Sequence, residues 1–440
     1  QLIGQVKYRE AIDLIRQRLP LPGVLGRVCP HPCESQCRRM TVDAAVAIRD
    51  LKRFAADQVS LSDLPLPPID DREEKIAVIG SGPAGLTAAF YLRLQGFQTT
   101  LFEALPALGG MLRVGIPDYR LPPDVLDHEI AFLLSHGIDT RTGVRLGEDF
   151  TLQDLTDQGF KAIFLAIGAH KAMRLGIPGE ETGRGVIDAM HFLREVNLGD
   201  RHLPGRRIVV VGGGNVAIDA ARVARRQGAE AVTVVYRRSE REMPAYAEEI
   251  QGAREEGIEI EYLTAPVKIL ARDNRVVGFE CMRTELGPPD DTGRRRPVPV
   301  EGSAFILDCD AVIPAIGQQI DVGWTGDLPE LELTARHTIV VDPATMQTSL
   351  PHVFAAGDAV SGPATAIEAV AAGHKAVAAI RRFLDGEDMQ AVSRALASTR
   401  APGENWAPIP ESLPIRPRVQ TSPIPMARRI KSFDEVAPLM

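Results

Sequence analysis

The chain has 440 residues, 45% of them hydrophobic and 25% charged, an ordinary globular balance that excludes wholesale disorder. Its formal net charge of −8 argues against nucleic acid as an obligate partner, because phosphate binding needs a basic face. At about 150 residues per domain the length predicts roughly three domains, and no apolar run approaches the ~20 residues of a membrane span.

Residues 1–70 read as a helical domain. Tyr8–Arg16 and Leu51–Val59 carry apolar positions at helical spacing. Between them Cys29, Cys33 and Cys37 fall within nine residues, while Cys281 and Cys309 stand apart. Five cysteines so distributed are no disulfide framework; the cluster points to metal ligation in a reducing, cytoplasmic compartment. Spacing of four places the three thiols on one face if the segment is helical. Zinc prefers paired CxxC spacing, and an iron–sulfur cluster usually takes four cysteines, so His31 and Glu34 are poor substitutes for the missing ligand. Gln1–Arg16 does not read as a secretory leader, and a start at Gln1 inside a helical stretch leads us to expect a fragment. A connector rich in proline, Leu64–Pro68, closes the region.

The texture then becomes α/β. Lys75–Ile79 reads as a buried strand, Leu86–Leu94 as a helix and Thr99–Glu103 as a second strand. The order recurs as strand Arg207–Val211, helix Val216–Arg226 and strand Ala231–Tyr236. Two such βαβ units predict two Rossmann-like dinucleotide-binding domains. The expected boundaries are 71–190 for the first unit, 191–320 for the second, 321–386 for a return to the first, and 387–440 for an extended tail rich in proline.

After the first strand comes Gly80-Ser81-Gly82-Pro83-Ala84-Gly85. Gly80 permits the tight turn, Gly82 lets the backbone approach a pyrophosphate, and Gly85 lets helix and strand pack closely. Glu103, ending the second strand, is placed to hydrogen-bond ribose hydroxyls. The second unit reads Gly212-Gly213-Gly214-Asn215-Val216-Ala217, with alanine at the third small position. Its second strand ends in Tyr236-Arg237-Arg238 instead of an acid. A carboxylate there would repel a 2′-phosphate, whereas guanidinium groups pair with it, so the site prefers NADPH. The other reading of these arginines is a solvated basic turn. Arg238 is the expected phosphate ligand, and Arg237 the one that stacks on adenine. Gly109–Tyr119 holds no cysteine, and Cys281 and Cys309 read as buried small hydrophobes, so no CxxC is available for disulfide reduction.

Together these features resemble the small (beta) subunit family of NADPH-dependent glutamate synthase, which also takes in the N-terminal half of dihydropyrimidine dehydrogenase. The likeness rests on Gly26–Pro30 with Cys33 and Cys37, on Gly80–Gly85, on Gly109–Leu112 running into Gly115–Pro122, and on Gly212–Ala217. Tyr236–Arg238 with Met243-Pro244, Ala315–Gln318 and Ala356–Asp358 complete it. The resemblance implies a helical [4Fe-4S] domain with an FAD domain in two segments and an NADPH domain inserted between them. It implies FAD at Gly80, Gly82, Ala84, Gly85, Glu103, Gly110, Leu112, Gly357 and Asp358, with Thr365 and Ala366 opening a helix aimed at the isoalloxazine. Asp358 alternatively caps a helix. NADPH falls to Gly212, Gly214, Asn215, Val216, Ala217, Arg237 and Arg238, and no acid–base catalytic residue is expected. Electrons would run from NADPH through FAD and the iron–sulfur clusters, whose ligand set is incomplete here, to a larger partner such as the glutamate synthase large subunit. The family carries further cysteines upstream, Lys52 stands near a position where relatives supply a Gln or Glu ligand, and Phe433–Val436 resembles a segment that often runs into more cysteines. A chain acting alone on a small molecule or quinone at the flavin is the alternative, as is a subunit of a transhydrogenase or formate dehydrogenase type of complex.

Overall fold

A computed structural model of the chain describes residues 1–398 except 182, 291, 292 and 327, together with 415, 418 and 422–437. Two parallel sheets organise it. In the first, strands 353–355, 160–165, 75–79, 98–103 and 139–142 lie side by side in that order, all parallel. The second runs 311–314, 207–211, 231–235 and 259–261, again parallel. Continuous β-branched runs such as Arg207–Val211 form here because helices cover both faces, and each central strand buries four consecutive residues. An antiparallel meander of Thr264–Arg272, Arg275–Pro289 and Arg295–Leu307 grows from the second sheet's edge region.

Helices open where glycine and proline signals stand: Pro83–Leu94 with Gly82 as N-cap, and Asn215–Arg226 with Gly214. Strand 353–355 sits beside 160–165, so chain on the far side of the second sheet completes the first. Helix Ala366–Leu384 then packs on Pro83–Leu94. A Cβ on Gly373 would stand 2.9 Å from the Ala84 carbonyl oxygen, and only a bare Cα admits that approach.

The N-terminal helices Tyr8–Arg16, Pro22–Val28 and Ile48–Asp57 rest on the first nucleotide unit. Val24 and Val28 join its core, and the Glu129 carboxylate accepts from the Gly23 and Val24 amides at 2.8 and 2.9 Å. The cysteines do not share one helical face. Cys29 ends Pro22–Val28, Cys33 lies in the single turn Pro32–Ser35, and Cys37 precedes a separate 3-10 turn at Arg38–Thr41. Pro30 and Pro32 break the helix that the spacing suggested, and His31 between them is left-handed at φ 44°.

The segment from 387, expected as an extended tail, carries a helix at Met389–Ser398 and a turn at Met426–Arg429. Most of the prolines behind that expectation lie outside the described residues. What is described docks tightly. Glu435 pairs with Arg27 at 2.9 Å and Arg53 at 2.6 Å, Val436 donates its amide to the Tyr119 carbonyl, and Phe433 packs on the second unit's core. Among the described residues no helix is long and apolar enough to cross a membrane.

Candidate functional site

Both glycine turns open into one cavity of about 1660 Å³. Every expected nucleotide residue faces it except Gly85 and Ala217, which sit behind the turns between helix and strand. A volume above the ~1,000 Å³ of a large single-ligand pocket suits two dinucleotides meeting end to end.

The first turn has one conformation open to it. Gly80 has φ +100°, and a Cβ there would lie 2.3 Å from the Ala166 carbonyl oxygen. On Gly85 it would lie 1.8 Å from the Gly80 carbonyl oxygen. On Gly82 it would meet no protein atom within 4 Å, so that side is left to a ligand. Gly110 (φ +52°) closes over the turn, its missing Cβ 2.8 Å from the Gly82 Cα. Buried Glu103 ties the loops together: its Oε2 accepts from the Ser81 amide at 2.9 Å and hydroxyl at 2.5 Å, and its Oε1 from the Leu105 amide at 2.8 Å. The Ser81 hydroxyl in turn accepts from Gly109 at 3.0 Å. Three donors leave the carboxylate with acceptor capacity toward the cavity.

Across the cavity, Asp358 opens a short helix after left-handed Gly357 and accepts from the Ala364 amide at 3.1 Å. Burial pushes its carboxyl up to about 6. Thr365 caps helix Ala366–Leu384 in a reciprocal box with Glu368, so the positive end of a helix of 19 residues faces the same space.

In the second turn a Cβ on Gly212 would lie 2.2 Å from the Ala315 carbonyl oxygen, and Gly213 lies flat against the Tyr236 ring. The Asn215 side chain accepts from the Tyr246 amide at 3.0 Å. Arg237 is exposed, whereas Arg238 is buried, with its Nη2 on Asp290 at 2.9 Å and its Nε on the Arg295 carbonyl at 2.7 Å.

Sequence reasoning missed the device that joins the two units. Tyr119 and Arg120 reach across to Asp219, at 3.2 and 2.6 Å, and Arg120 also meets Glu249 at 3.2 Å. Arg222 continues the chain of charges to Glu249 and Glu256, and Arg226 closes it at Glu256. Asp219, Arg222 and Arg226, spaced by three and four, share one face of helix Asn215–Arg226. Only the acids on Ala247–Glu255 and at Glu256 reveal that this face is covered.

The remaining cysteines, Cys281 and Cys309, are fully buried in one cluster with Phe279 and Val312, and burial pushes each thiol up to about 12. Neither faces the cavity. Among the described residues, no three of His, Cys, Asp and Glu gather closely enough to hold a metal ion. Glu34 is committed to the Arg49 amide and Arg418, and the Lys52 ammonium, which cannot ligate iron, lies beside Cys29 and Cys33. The residues present thus supply three of the four thiolates a [4Fe-4S] cluster takes and do not complete one.

Two glycine turns, each on a parallel sheet and opening into a shared cavity, define a two-dinucleotide flavoprotein. Residues 74–373 match the model of the pyridine nucleotide-disulphide oxidoreductase family, and the chain belongs to it. Residues 1–63 match dihydropyrimidine dehydrogenase domain II, a 4Fe-4S cluster family. FAD, NAD(P)H and an iron–sulfur cluster, to which this chain brings three of the thiolates, are accordingly its cofactors. The chain is similar to the NADP(+)-dependent formate dehydrogenase subunit beta of Moorella thermoacetica, 44% identical over 98% of this chain and 64% of that one. It thus spans under two thirds of that relative's length. It is 35% identical to the glutamate synthase [NADPH] small chain of Escherichia coli, covering 88% of this chain and 85% of that one, which places it in the family the sequence resembled. FprA of Mycobacterium tuberculosis in complex with NADPH shares the fold, with a TM-score of 0.60 and 20% identity over 73% of this chain and 86% of that one.

Proposed function

We propose that the chain is the electron-input part of a larger oxidoreductase, taking reducing equivalents from NADPH at Gly212–Ala217 and holding FAD at Gly80–Gly85. FAD, when bound, accepts a hydride and can release electrons one at a time. The chain's own residues orient and enclose. Gly82 and Gly214 leave room for phosphates at helix N-termini, the Tyr119–Arg120–Asp219 bridge holds the second unit against the first, and Thr365 aims a helix end at the flavin position. With no thiol pair at the cavity, Cys29, Cys33 and Cys37 would hold part of an iron–sulfur cluster in residues 1–63, which would take electrons one at a time. The observation that carries this is that Val28, next to Cys29, forms part of the cavity wall, and that Cys29 packs on Val370 and Ala366 of the helix facing the flavin position. Exposed Cys33 then stands at the outer surface, where a partner could meet it.

The higher identity to a formate dehydrogenase subunit supports a partner of that class over the glutamate synthase large subunit, and five unpaired thiols support a reducing, cytoplasmic setting. The test is Cys33→Ser. NADPH-driven reduction of a small dye at the flavin should persist, while turnover with the co-purifying partner is lost. Full turnover with the partner would contradict the exit route.

Asp358, as an FAD ligand, gives a pH dependence. Its carboxyl is raised to about 6, and a ligand hydroxyl donates best to the ionised form. Affinity of the flavin-free chain for FAD should be full above pH ~6 and fall below it by up to about tenfold per pH unit, the limit for one proton. Titration of Asp358→Asn should remove the slope.

A further inference from the structure

We propose that segment 422–437 sets how closely the second nucleotide unit approaches the first, and that Glu435 and Phe433 are positioning residues for hydride transfer from NADPH to FAD. The proposal rests on the reading that both nucleotides meet in the shared cavity, and it adds the part of the chain that fixes their meeting. The chain crosses between the units at Lys171–Ala172 and again at Gln318–Gln319, and the two crossings pair as an antiparallel ladder of two residues. So short a ladder can act as a hinge, which leaves the angle between the units to the contacts made around it.

Segment 422–437 makes such contacts on both units. It folds back on itself, the Ile424 amide donating to the Val436 carbonyl at 2.8 Å, with the turn Met426–Arg429 between them. On the second unit, Phe433 packs against the core, and the Arg201 guanidinium stands 4.5 Å over its ring. Arg429, 7% exposed, donates through both Nη atoms to Glu255 at 3.1 Å. On the first unit, the Val436 amide donates to the Tyr119 carbonyl at 3.1 Å. Tyr119 is the residue whose ring lies against Arg222 and Arg226 and whose hydroxyl meets Asp219. The segment thus grips by its backbone the same residue that the second unit grips by its side chain.

Glu435 adds the iron–sulfur region to this clasp. Arg27 and Arg53, 6% and 10% exposed, share its carboxylate at 2.9 and 2.6 Å, and Arg53 also donates to the Ala437 carbonyl at 2.9 Å. Helix Pro22–Val28, which carries Arg27, ends in the cavity wall at Val28. One short stretch therefore binds the wall beside the flavin position to the unit that delivers the nicotinamide. Hydride transfer depends steeply on such placement, since a shift of about 1 Å can cost on the order of 10²-fold in rate.

The experiment is rapid anaerobic mixing of the full FAD-loaded chain with rising NADPH, which separates nucleotide affinity from the limiting rate of flavin bleaching. Glu435→Gln removes the charge that Arg27 and Arg53 share, and Phe433→Ala removes the contact on the second unit; either variant that loads FAD decides the matter. Each should lower the limiting rate by about tenfold or more and leave the Kd for NADPH within about twofold, because Gly212–Ala217 are untouched. The rate should fall by the same factor with NADH, since approach is changed and recognition is not. Bleaching by dithionite, which needs no second unit, should keep its wild-type rate. Lys431→Ala, an exposed change in the same segment, should leave every value unaltered. A wild-type limiting rate in either variant would overturn the proposal, as would a loss carried by Kd alone or a dithionite rate that falls in step. If the wild-type chain itself binds NADPH without bleaching, the reading of a shared cavity fails and the proposal with it.

Discussion

Gly85→Ala will cost the chain its flavin and much of its stability. The added methyl would sit 1.8 Å from the Gly80 carbonyl oxygen, and that oxygen belongs to a turn already pinned against Ala166. Neither side can yield by rotating a side chain, so helix Pro83–Leu94 must lift from strand Lys75–Ile79. Overpacking of this kind costs about 3 kcal/mol, at the upper end for a single methyl. Purified protein should show a lowered Tm and little flavin absorbance. Gly82→Ala is the contrast: with no protein atom within 4 Å, it should keep its Tm and lose FAD affinity alone. Equal thermal loss in both would mean that the turn is not shaped around a ligand.

The second large effect is expected at Glu256. Its carboxylate, fully enclosed, takes Arg222 at 2.7 Å and Arg226 at 2.5 Å, and both arginines lie over the Tyr119 ring. Burial works to raise this acid, but the bonds from Arg226 and Arg222 outweigh it and hold the pKa below the usual range. Glu256→Ala takes from Arg226 its Glu256 partner and leaves Arg222 with Glu249 alone, and breaking a buried pair in this way costs about 3–5 kcal/mol. Because the folded value is depressed, the stabilisation is present above the ordinary carboxylate range and disappears as pH falls through the depressed value. Denaturation by urea across pH should show the wild type losing stability toward acid and Glu256→Ala responding less. The variant should also loosen the contact between the two nucleotide units, since Arg222 and Glu249 connect Glu256 to Arg120 and Asp219.

The parts of this molecule legible in sequence are those whose physics is local. Strand Arg207–Val211 and helix Tyr8–Arg16 occur at the residues where β-branched runs and helical spacing announce them. The glycine turns were legible for the same reason, since a positive φ at Gly80 and a bare Cα at Gly85 are demands made within six residues. The cysteine trio was legible as a cluster but not as a geometry, because Pro30 and Pro32 cut the helix that would have aligned it. What sequence could not supply is pairing at a distance. Asp290 lies 52 positions from the Arg238 it holds, and Tyr119 lies 100 from Asp219. The burial of Arg238 depends on a meander that joins it only in the folded state. The tail misled for a related reason. Proline composition speaks of extension, whereas the docking of Glu435 and Val436 depends on Arg27, Arg53 and Tyr119 elsewhere.

The account depends on two nucleotides sharing one chamber closely enough for direct transfer. Rapid anaerobic mixing of the FAD-loaded chain with NADPH, and no partner present, tests that most directly. The flavin absorbance should bleach in a single turnover, faster at low concentration with NADPH than with NADH. Tight NADPH binding with the flavin left oxidised would contradict it.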